Sequence, residues 1–269
     1  MHSIGPRMFR EYRDFLYEIT GIHIDEHKEY LLQSKVSRLV NRSETDSAKA
    51  YLDLISQPGK VRERQEFIDM MTTNTTEFFR ESEHFDYLGD RMAKILHDNP
   101  RIASDRVIRV WSAACSTGQE PVTLALVLRQ LLGDTYKIKV LATDISTDAL
   151  NRAVTGAYSA SECSAIPEPL LKKYFCRSGE SYIIGDQLRS MITYRHFNLM
   201  KNFNFKWGFD VIFCRNVMIY FDNLVQQSLA NKFYGCLVPG GLLFLGHSES
   251  LLNKQHRFKL IGHSIYQKS

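Results

Sequence analysis

The sequence predicts a helical region followed by an α/β domain with a parallel sheet. Residues 1–75 carry apolar side chains at helical spacings of three and four, and from Arg106 onward strand-like and helix-like segments alternate. A third observation is the apolar run at residues 211–213, which stops abruptly at the polar pair Arg215-Asn216. Ligands bind at the carboxyl ends of strands in such sheets, so this junction predicts where a reacting group is held.

Four helices are predicted in the first 75 residues. The first carries the apolar stripe of Phe9, Tyr12, Phe15, Leu16 and Ile19, and Gly21 is its expected end. The other three are expected at about residues 25–41, 47–56 and 61–71.

The second helix carries four cations, Lys28, Lys35, Arg38 and Arg42, whose offsets of seven, three and four place them on one face. One interpretation is a solvated helix face, the usual fate of such charges. The other is a docking face for an acidic helix.

The polar run at residues 72–76 favours a turn and breaks the helical pattern. A long helix is predicted at about residues 82–98 and ends at Asn99-Pro100. Strands are then expected at about 107–111, 137–142, 209–214 and 242–245, helices at about 120–132, 147–154 and 223–237, and a terminal hairpin at about 258–267.

Residues 156–198 break this alternation of strands and helices. Their short strand-like runs at 182–186 and 191–194 predict a small antiparallel insert.

Composition excludes several classes of protein. No apolar run of the 269 residues approaches the roughly 20 needed to cross a bilayer, and residues 1–7 lack the apolar core of a signal peptide. The five cysteines show no CxxC pair and the nine histidines no HExxH, so we expect no disulfide framework, no metal site and a reducing cytoplasm. The net charge of +4 is too small to indicate a nucleic-acid partner.

Two further strand ends carry polar or small residues. The loop around Gly118 is built from small residues, and Asp144 ends the second strand, where an acidic side chain can accept hydrogen bonds from ribose hydroxyls. Alone, Asp144 could equally cap the next helix. With no GxGxxG or P-loop pattern, the combination favours S-adenosylmethionine over NAD. Ser248 lies in no GxSxG elbow, which disfavours a serine hydrolase.

Several segments of the chain, in the same order, resemble the CheR family of chemotaxis receptor glutamate methyltransferases along nearly the whole length. The matching segments are TTNTTEFFR at 72–80, WSAACSTGQEP at 111–121, ATDI at 142–145, Asn198-Leu199, residues 214–222 and GHSE at 246–249. The family often has Glu where this chain has Gln119. This difference does not affect Glu120, which is still present to contact a cofactor.

The resemblance implies a helical N-terminal receptor-docking domain at 1–80, a linker helix at 81–105, and a Rossmann-like S-adenosylmethionine domain at 106–269 with a β subdomain at about 156–198. It implies that Arg80 and Tyr220 line the methyl-transfer site. The implied cofactor contacts are Asn74, Thr76, Arg80, Glu120, Asp144, Asn198, Leu199, Cys214, Arg215 and Asn216.

The implied reaction transfers a methyl group from S-adenosylmethionine to receptor glutamates, giving methyl esters for sensory adaptation and leaving S-adenosylhomocysteine. The expected partner is the cytoplasmic helical domain of membrane chemotaxis receptors, approached by a cytoplasmic monomer that is recruited to receptor arrays without entering the membrane. The cationic face of the second helix then becomes its docking surface. Two alternatives stay open: a methyltransferase of another protein or a small molecule, and a non-catalytic regulator that binds the cofactor.

Overall fold

The computed structural model describes residues 5–269. The helices are α1 (Pro6–Thr20), α2 (Glu29–Arg42), α3 (Ala48–Ser56), α4 (Val61–Met71), α5 (Glu83–Asp98), α6 (Pro100–Asp105), α7 (Gln119–Leu132), α8 (Thr147–Thr155), α9 (Glu168–Tyr174), α10 (Asp186–Arg189) and α11 (Asn223–Cys236). The strands are β1 (Val107–Ala113), β2 (Lys137–Asp144), β3 (Ala157–Ser159), β4 (Phe175–Ser178), β5 (Ser181–Ile184), β6 (Ile192–His196), β7 (Phe209–Cys214), β8 (Leu237–Leu245), β9 (Lys259–Gly262) and β10 (Ile265–Gln267). Within this described part, no helix is long and apolar enough to cross a membrane.

Helices α1–α4 pack around an apolar core of their own. Helix α1 buries Phe9, Tyr12 and Leu16 from the predicted stripe. It ends at Gly21, whose φ of +74° is the left-handed conformation that glycine adopts without steric cost. The prediction of four helices in this region is therefore confirmed.

The main sheet has seven strands in the order β6-β2-β1-β7-β8-β10-β9. The first five are parallel, and β10 pairs antiparallel with both β8 and β9. Apolar side chains pack on both faces of the sheet. On one face, Phe213 stacks on Phe244 of the neighbouring strand, with ring centroids 4.4 Å apart. The predicted α/β sheet and terminal hairpin are both confirmed, and the hairpin forms the antiparallel edge.

The predicted insert is partly corrected. Strands β3, β5 and β4 form a separate three-stranded antiparallel sheet. The run at 191–194, expected within that insert, instead begins β6, which pairs parallel with β2 at the edge of the main sheet. A short apolar run shows that a strand forms, but its pairing partner depends on contacts that are distant in sequence.

The amino ends of the strands are closed by an ion-pair network around Asp210. This side chain is fully buried and accepts hydrogen bonds from Arg101 at 2.6 and 2.7 Å, from Asn99 at 2.7 Å and from the backbone N–H of Arg109 at 2.8 Å. Burial raises the pKa of Asp210 to about 6, although the Arg101 hydrogen bonds oppose the shift. The network joins α6 to the centre of the sheet.

The helical region docks on the carboxyl ends of the strands. Ile22 forms an antiparallel bridge with Phe221, and the N–H of His23 donates to the carbonyl of Tyr220 at 2.8 Å. At a second point, Asp69 of α4 accepts hydrogen bonds from the N–H of Thr147 at 2.8 Å and from its hydroxyl at 2.6 Å. A carboxylate is favourable at this position because it lies at the N-terminus of α8.

Candidate functional site

A cleft of roughly 1060 Å³, its open mouth included, lies between the helical region and the carboxyl ends of β1, β2 and β7. Its lining residues come from both parts of the chain. They are Thr20, Ile22, Met71, Thr72, Thr73, Asn74, Thr75, Thr76, Glu77, Arg80, Phe85, Ala114, Ser116, Glu120, Asp144, Ile145, Phe197, Asn198, Leu199, Arg215, Asn216, Val217, Tyr220 and Phe221.

Asp144 organises the loops that follow β1 and β2. It is 7% exposed, and its two carboxylate oxygens accept hydrogen bonds from the N–H of Ser116 at 2.8 Å and of Ser146 at 2.9 Å. Burial raises the pKa of Asp144, while these N–H groups oppose the shift. Because a carboxylate has about four lone-pair sites, it can still accept hydrogen bonds from a ligand.

The small residues of the β1–α7 loop fall into two groups. A Cβ at Gly118 would lie 2.7 Å from the hydroxyl of Tyr158, so this glycine makes room for protein packing rather than for a ligand. The residues of this loop that face the cleft are Ala114 and Ser116, both at positive φ. The hydroxyl of Ser116 donates to the carbonyl of Asn74 at 2.8 Å, which ties the loop to the opposite wall.

Arg215 is the buried cation of the site. Its guanidinium lies 3.0 Å from Glu81 and 3.5 Å from Glu120, and it also donates to the carbonyl of Arg80. Burial raises the pKa of Glu120, and the charge of Arg215 opposes that shift. Burial alone would also raise the pKa of Glu81, but the hydrogen bond from Asn216 and the charge of Arg215 outweigh it and hold the pKa below its ordinary value.

A second carboxylate fixes the turn after β7. Glu249 accepts hydrogen bonds from the N–H groups of Gly246 at 2.6 Å, Asn216 at 2.8 Å and Ile219 at 3.2 Å. A Cβ at Gly246 would lie 2.6 Å from the side-chain amide nitrogen of Asn216 and 2.9 Å from its backbone nitrogen, so the close approach requires glycine. These contacts explain the Gly and the Glu of the segment at 246–249.

Arg80 and Tyr220 face the cleft from different elements. Within residues 5–269, the Arg80 guanidinium donates one hydrogen bond, to the carbonyl of Thr75 at 3.1 Å, and has no carboxylate partner. Tyr220 ends the 3₁₀ turn Met218–Tyr220, which the bond from His23 holds in place. The cleft therefore presents an unpaired guanidinium to whatever anion enters it.

Comparison with known proteins decides the family. The SAM-binding domain of the CheR methyltransferases matches residues 74–267, and their all-alpha domain matches residues 7–72.

The chain belongs to the CheR methyltransferase family.

Relatives from several bacteria cover almost all of the chain. A probable chemotaxis protein methyltransferase of Rhizobium etli is 36% identical over 94% of this chain and 96% of its own length. Chemotaxis protein methyltransferase 2 of Pseudomonas aeruginosa is 36% identical over 96% of this chain and 91% of its own. The chemotaxis protein methyltransferase of Escherichia coli is 36% identical over 98% of this chain and 91% of its own. This CheR chain is thus an S-adenosylmethionine-dependent methyltransferase, as the sequence predicted.

The cleft brings together ten of the residues that the resemblance to CheR implied. They are Asn74, Thr76, Arg80, Glu120, Asp144, Asn198, Leu199, Arg215, Asn216 and Tyr220. Cys214 is not among the lining residues, because it points into the core as the last residue of β7. It directly precedes Arg215, which does line the cleft.

Asn198 has an additional task in this CheR chain. Its amide donates to the carbonyl of Ile19 at 2.7 Å and its oxygen accepts from the N–H of Met200 at 2.9 Å. Asn198 therefore joins the helical region to the sheet domain at the rim of the cleft.

The cationic face of α2 is less uniform than its spacing indicated. Arg38 and Arg42 are exposed. Lys28 lies outside α2, in the 3₁₀ turn Glu26–Lys28 that precedes it, and its ammonium is 3.9 Å from Asp25. Lys35 is half-buried, and its ammonium donates to the carbonyl of Met71 at 3.2 Å, at the C-terminus of α4. Burial lowers the pKa of Lys35. This lysine caps a helix, so only part of the face is free to meet a partner.

Sequence reasoning missed Glu81 and Glu249 as site-forming residues. Each holds a turn through partners more than 30 positions away: Glu81 contacts Arg215 and Glu249 contacts Asn216. Their position in or next to segments that match CheR motifs was the available signal, since Glu249 lies in the GHSE segment and Glu81 directly follows the segment that ends at Arg80.

Proposed function

We propose that this CheR chain transfers the methyl group of S-adenosylmethionine to glutamate side chains of methyl-accepting chemotaxis receptors. The observation that carries the proposal is the guanidinium of Arg80, which has no carboxylate partner within residues 5–269 and lines the same cleft as the carboxylates of the strand ends. Three relatives at 36% identity bear the name chemotaxis protein methyltransferase, which supports receptors as the substrate class.

The strand ends suit the cofactor. Asp144 has acceptor capacity left for ribose hydroxyls, and the buried carboxylate of Glu120 suits the positive charge of the cofactor's ammonium group. Asn74, Thr76, Leu199 and the Arg215-Asn216 turn are proposed to complete its binding surface. When bound, S-adenosylmethionine supplies an electrophilic methyl group on a sulfonium centre.

Arg80 and Tyr220 are proposed to hold the substrate glutamate. A glutamate has an ordinary pKa near 4.3, so it is already a carboxylate at about neutral pH and no general base is required. Arg80 orients this anion because a planar guanidinium holds a carboxylate in a fixed geometry. Orientation of two reactants can supply roughly 7–11 kcal/mol of the barrier.

The position of Arg80 also limits how tightly it pairs. Its side chain is half-buried rather than enclosed, so solvent screens the attraction and leaves the carboxylate nucleophilic. Tyr220 is proposed to close the methyl-facing side of the cleft and to donate a hydrogen bond to the carboxylate.

The helical domain is proposed to dock the receptor. Domain limits of 1–80 for docking, 81–105 for the linker and 106–269 for catalysis place the exposed cations Arg38 and Arg42 outside the cofactor site. The proposed partner is the acidic cytoplasmic helical domain of a membrane receptor, met by a cytoplasmic monomer recruited to receptor arrays. Lys28 is proposed to belong to the same surface. Lys35 does not face the receptor in this proposal, because its ammonium donates to the carbonyl of Met71.

The test is incubation with labelled S-adenosylmethionine and membranes that contain chemotaxis receptors. The proposal predicts base-labile methyl ester on receptor bands, no label on membranes from a receptor-deficient strain, and loss of label in Arg80→Ala. Label on other proteins or small molecules in both membrane preparations would identify a different methyltransferase. Cofactor binding without label anywhere would identify a regulator.

A further inference from the structure

A cluster of metal-ligating side chains lies beside Arg215, which its member Glu81 contacts at 3.0 Å. Glu81, His84 and His247 each offer one ligand atom, and these atoms lie within 4.8 Å of one another. His84 is in the first turn of α5 and 1% exposed, whereas the side chain of His247, just after β8, is 34% exposed. The cluster therefore has a buried floor and an opening to solvent.

The buried histidine has an unsatisfied nitrogen. Nε2 of His84 lies 3.3 Å from the carbonyl of His263, a contact in which the ring must be the donor. That contact assigns the proton to Nε2 and leaves Nδ1 with a lone pair. Among the residues that the structure describes, none forms a hydrogen bond with Nδ1, which is buried.

The group that faces this lone pair is another acceptor. Nδ1 of His84 lies 3.6 Å from Oε2 of Glu81. Two acceptors that face each other at this distance repel unless a cation lies between them. A metal-ligating histidine usually donates its other ring N–H to a backbone carbonyl or a carboxylate, which fixes the tautomer and leaves one nitrogen for the metal, as in His84.

We propose that Glu81, His84 and His247 bind a divalent transition-metal ion of the zinc class. Two imidazoles and one carboxylate form a ligand set that suits Zn²⁺ and leaves a fourth position. Glu83 lies 3.9 Å from Nε2 of His247 and offers an oxygen for that position. Glu81 and His84 are three positions apart, but His247 lies in a distant segment after β8, which explains why the sequence indicated no metal.

The site is coupled to the cleft through Glu81. The same carboxylate accepts hydrogen bonds from Arg215 at 3.0 Å and Asn216 at 3.1 Å, and both of these residues line the cleft. A metal ion that draws on Oε2 of Glu81 weakens its bond to Arg215. The positive charge of Arg215 in turn opposes the metal, so the affinity is lower than that of a structural zinc site. The ion thus acts as an inhibitor that loosens the cofactor site.

The direct test is titration of the full chain with Zn²⁺ by calorimetry and with Co²⁺ by visible absorption. The wild-type chain is expected to bind one equivalent of each ion, and both His247→Ala and His84→Gln are expected to weaken binding at least ten-fold. His263→Ala and His23→Ala are the controls: the former removes a neighbouring imidazole outside the ligand set, and the latter an imidazole 3.3 Å from Asp25. Both controls are expected to bind as wild type does.

Absence of saturable binding, or equal losses in His247→Ala and the two controls, would overturn the site. His247→Ala, altered at a partly exposed side chain, keeps the test valid if His84→Gln does not fold.

Coupling is measured as the affinity for S-adenosylmethionine with and without Zn²⁺. Zn²⁺ is expected to lower that affinity in the wild type and to leave it unchanged in His247→Ala. An equal effect in both proteins would overturn the coupling. Neither readout requires methyl transfer, so failure of the metal site and failure of the proposed function are distinguishable.

Discussion

The two ends of the main sheet each hold a buried aspartate, and the two differ in how completely they are paired. Asp210, at the amino end, meets a guanidinium, an amide and a backbone N–H. Asp144, at the carboxyl end, meets two backbone N–H groups and faces a cleft. A buried polar group whose partners are complete stabilises the fold. One with acceptor capacity left, in a cleft, is available to a ligand.

Removal of the cation at the amino end is expected to cause the largest loss of stability. Arg101→Met leaves Asp210 buried without its charge partner, and breaking such a pair costs about 3–5 kcal/mol. Because the side chain of Arg101 is 28% exposed, we expect the lower end of this range. Urea unfolding measures the loss, and calorimetry on the same protein is expected to show unchanged affinity for S-adenosylmethionine. A large loss of cofactor affinity without loss of stability would reverse the roles of the two ends.

Removal of the unpaired cation at the carboxyl end is expected to act on catalysis instead. Arg80→Ala is expected to lower the rate of receptor methylation roughly 10²–10³-fold, the usual cost of losing one positioned charge or hydrogen-bond donor. Its free energy of unfolding is expected to change by less than about 1 kcal/mol, since no buried partner is left behind. Arg10→Ala, an exposed arginine on α1, is the matched control. Wild-type turnover in Arg80→Ala would remove Arg80 from the mechanism.

The variant Asp144→Ala tests whether the aspartate at the carboxyl end of the sheet binds the cofactor. We expect it to weaken binding of S-adenosylmethionine by about 1–3 kcal/mol, because hydrogen bonds to a buried carboxylate are lost. Calorimetry gives the affinity. Thermal melting with and without cofactor separates binding from the support that Asp144 gives to the backbone of Ser116 and Ser146. An unchanged affinity would show that the cofactor does not contact Asp144.

The sequence located the strand ends better than the contacts across them. Asp144 and Arg215 were recognisable from a local pattern, because each lies at the carboxyl end of an apolar strand. The clamp of Glu81 on Arg215 spans 134 positions and has no local signature. The Lys35 bond to Met71 was hidden for a related reason: helical spacing shows which face a side chain occupies, but not which element covers that face.

The smallest effect is expected on the receptor-docking surface. Arg38→Glu with Arg42→Glu is expected to raise the receptor KM a few-fold and leave the affinity for S-adenosylmethionine intact, because exposed charges contribute about 0–1 kcal/mol each. The effect is expected to shrink as salt rises. Arg62→Glu, an exposed reversal on α4, is the control, and Lys35 is left unchanged because it caps α4. A double variant that methylates receptors at the normal rate in low salt would show that these cations only keep α2 solvated.

We propose that the carboxyl end of the sheet has two separate functions. The strand-end carboxylates bind the cofactor, and Arg80 orients the substrate. The most direct test is the methylation rate of Asp144→Ala and Arg80→Ala, each measured while S-adenosylmethionine is raised to saturation. We predict that Asp144→Ala recovers most of the wild-type rate, since only its affinity is reduced, and that Arg80→Ala stays slow at every concentration. Recovery of Arg80→Ala at saturating cofactor, or failure of Asp144→Ala to recover, would contradict this division.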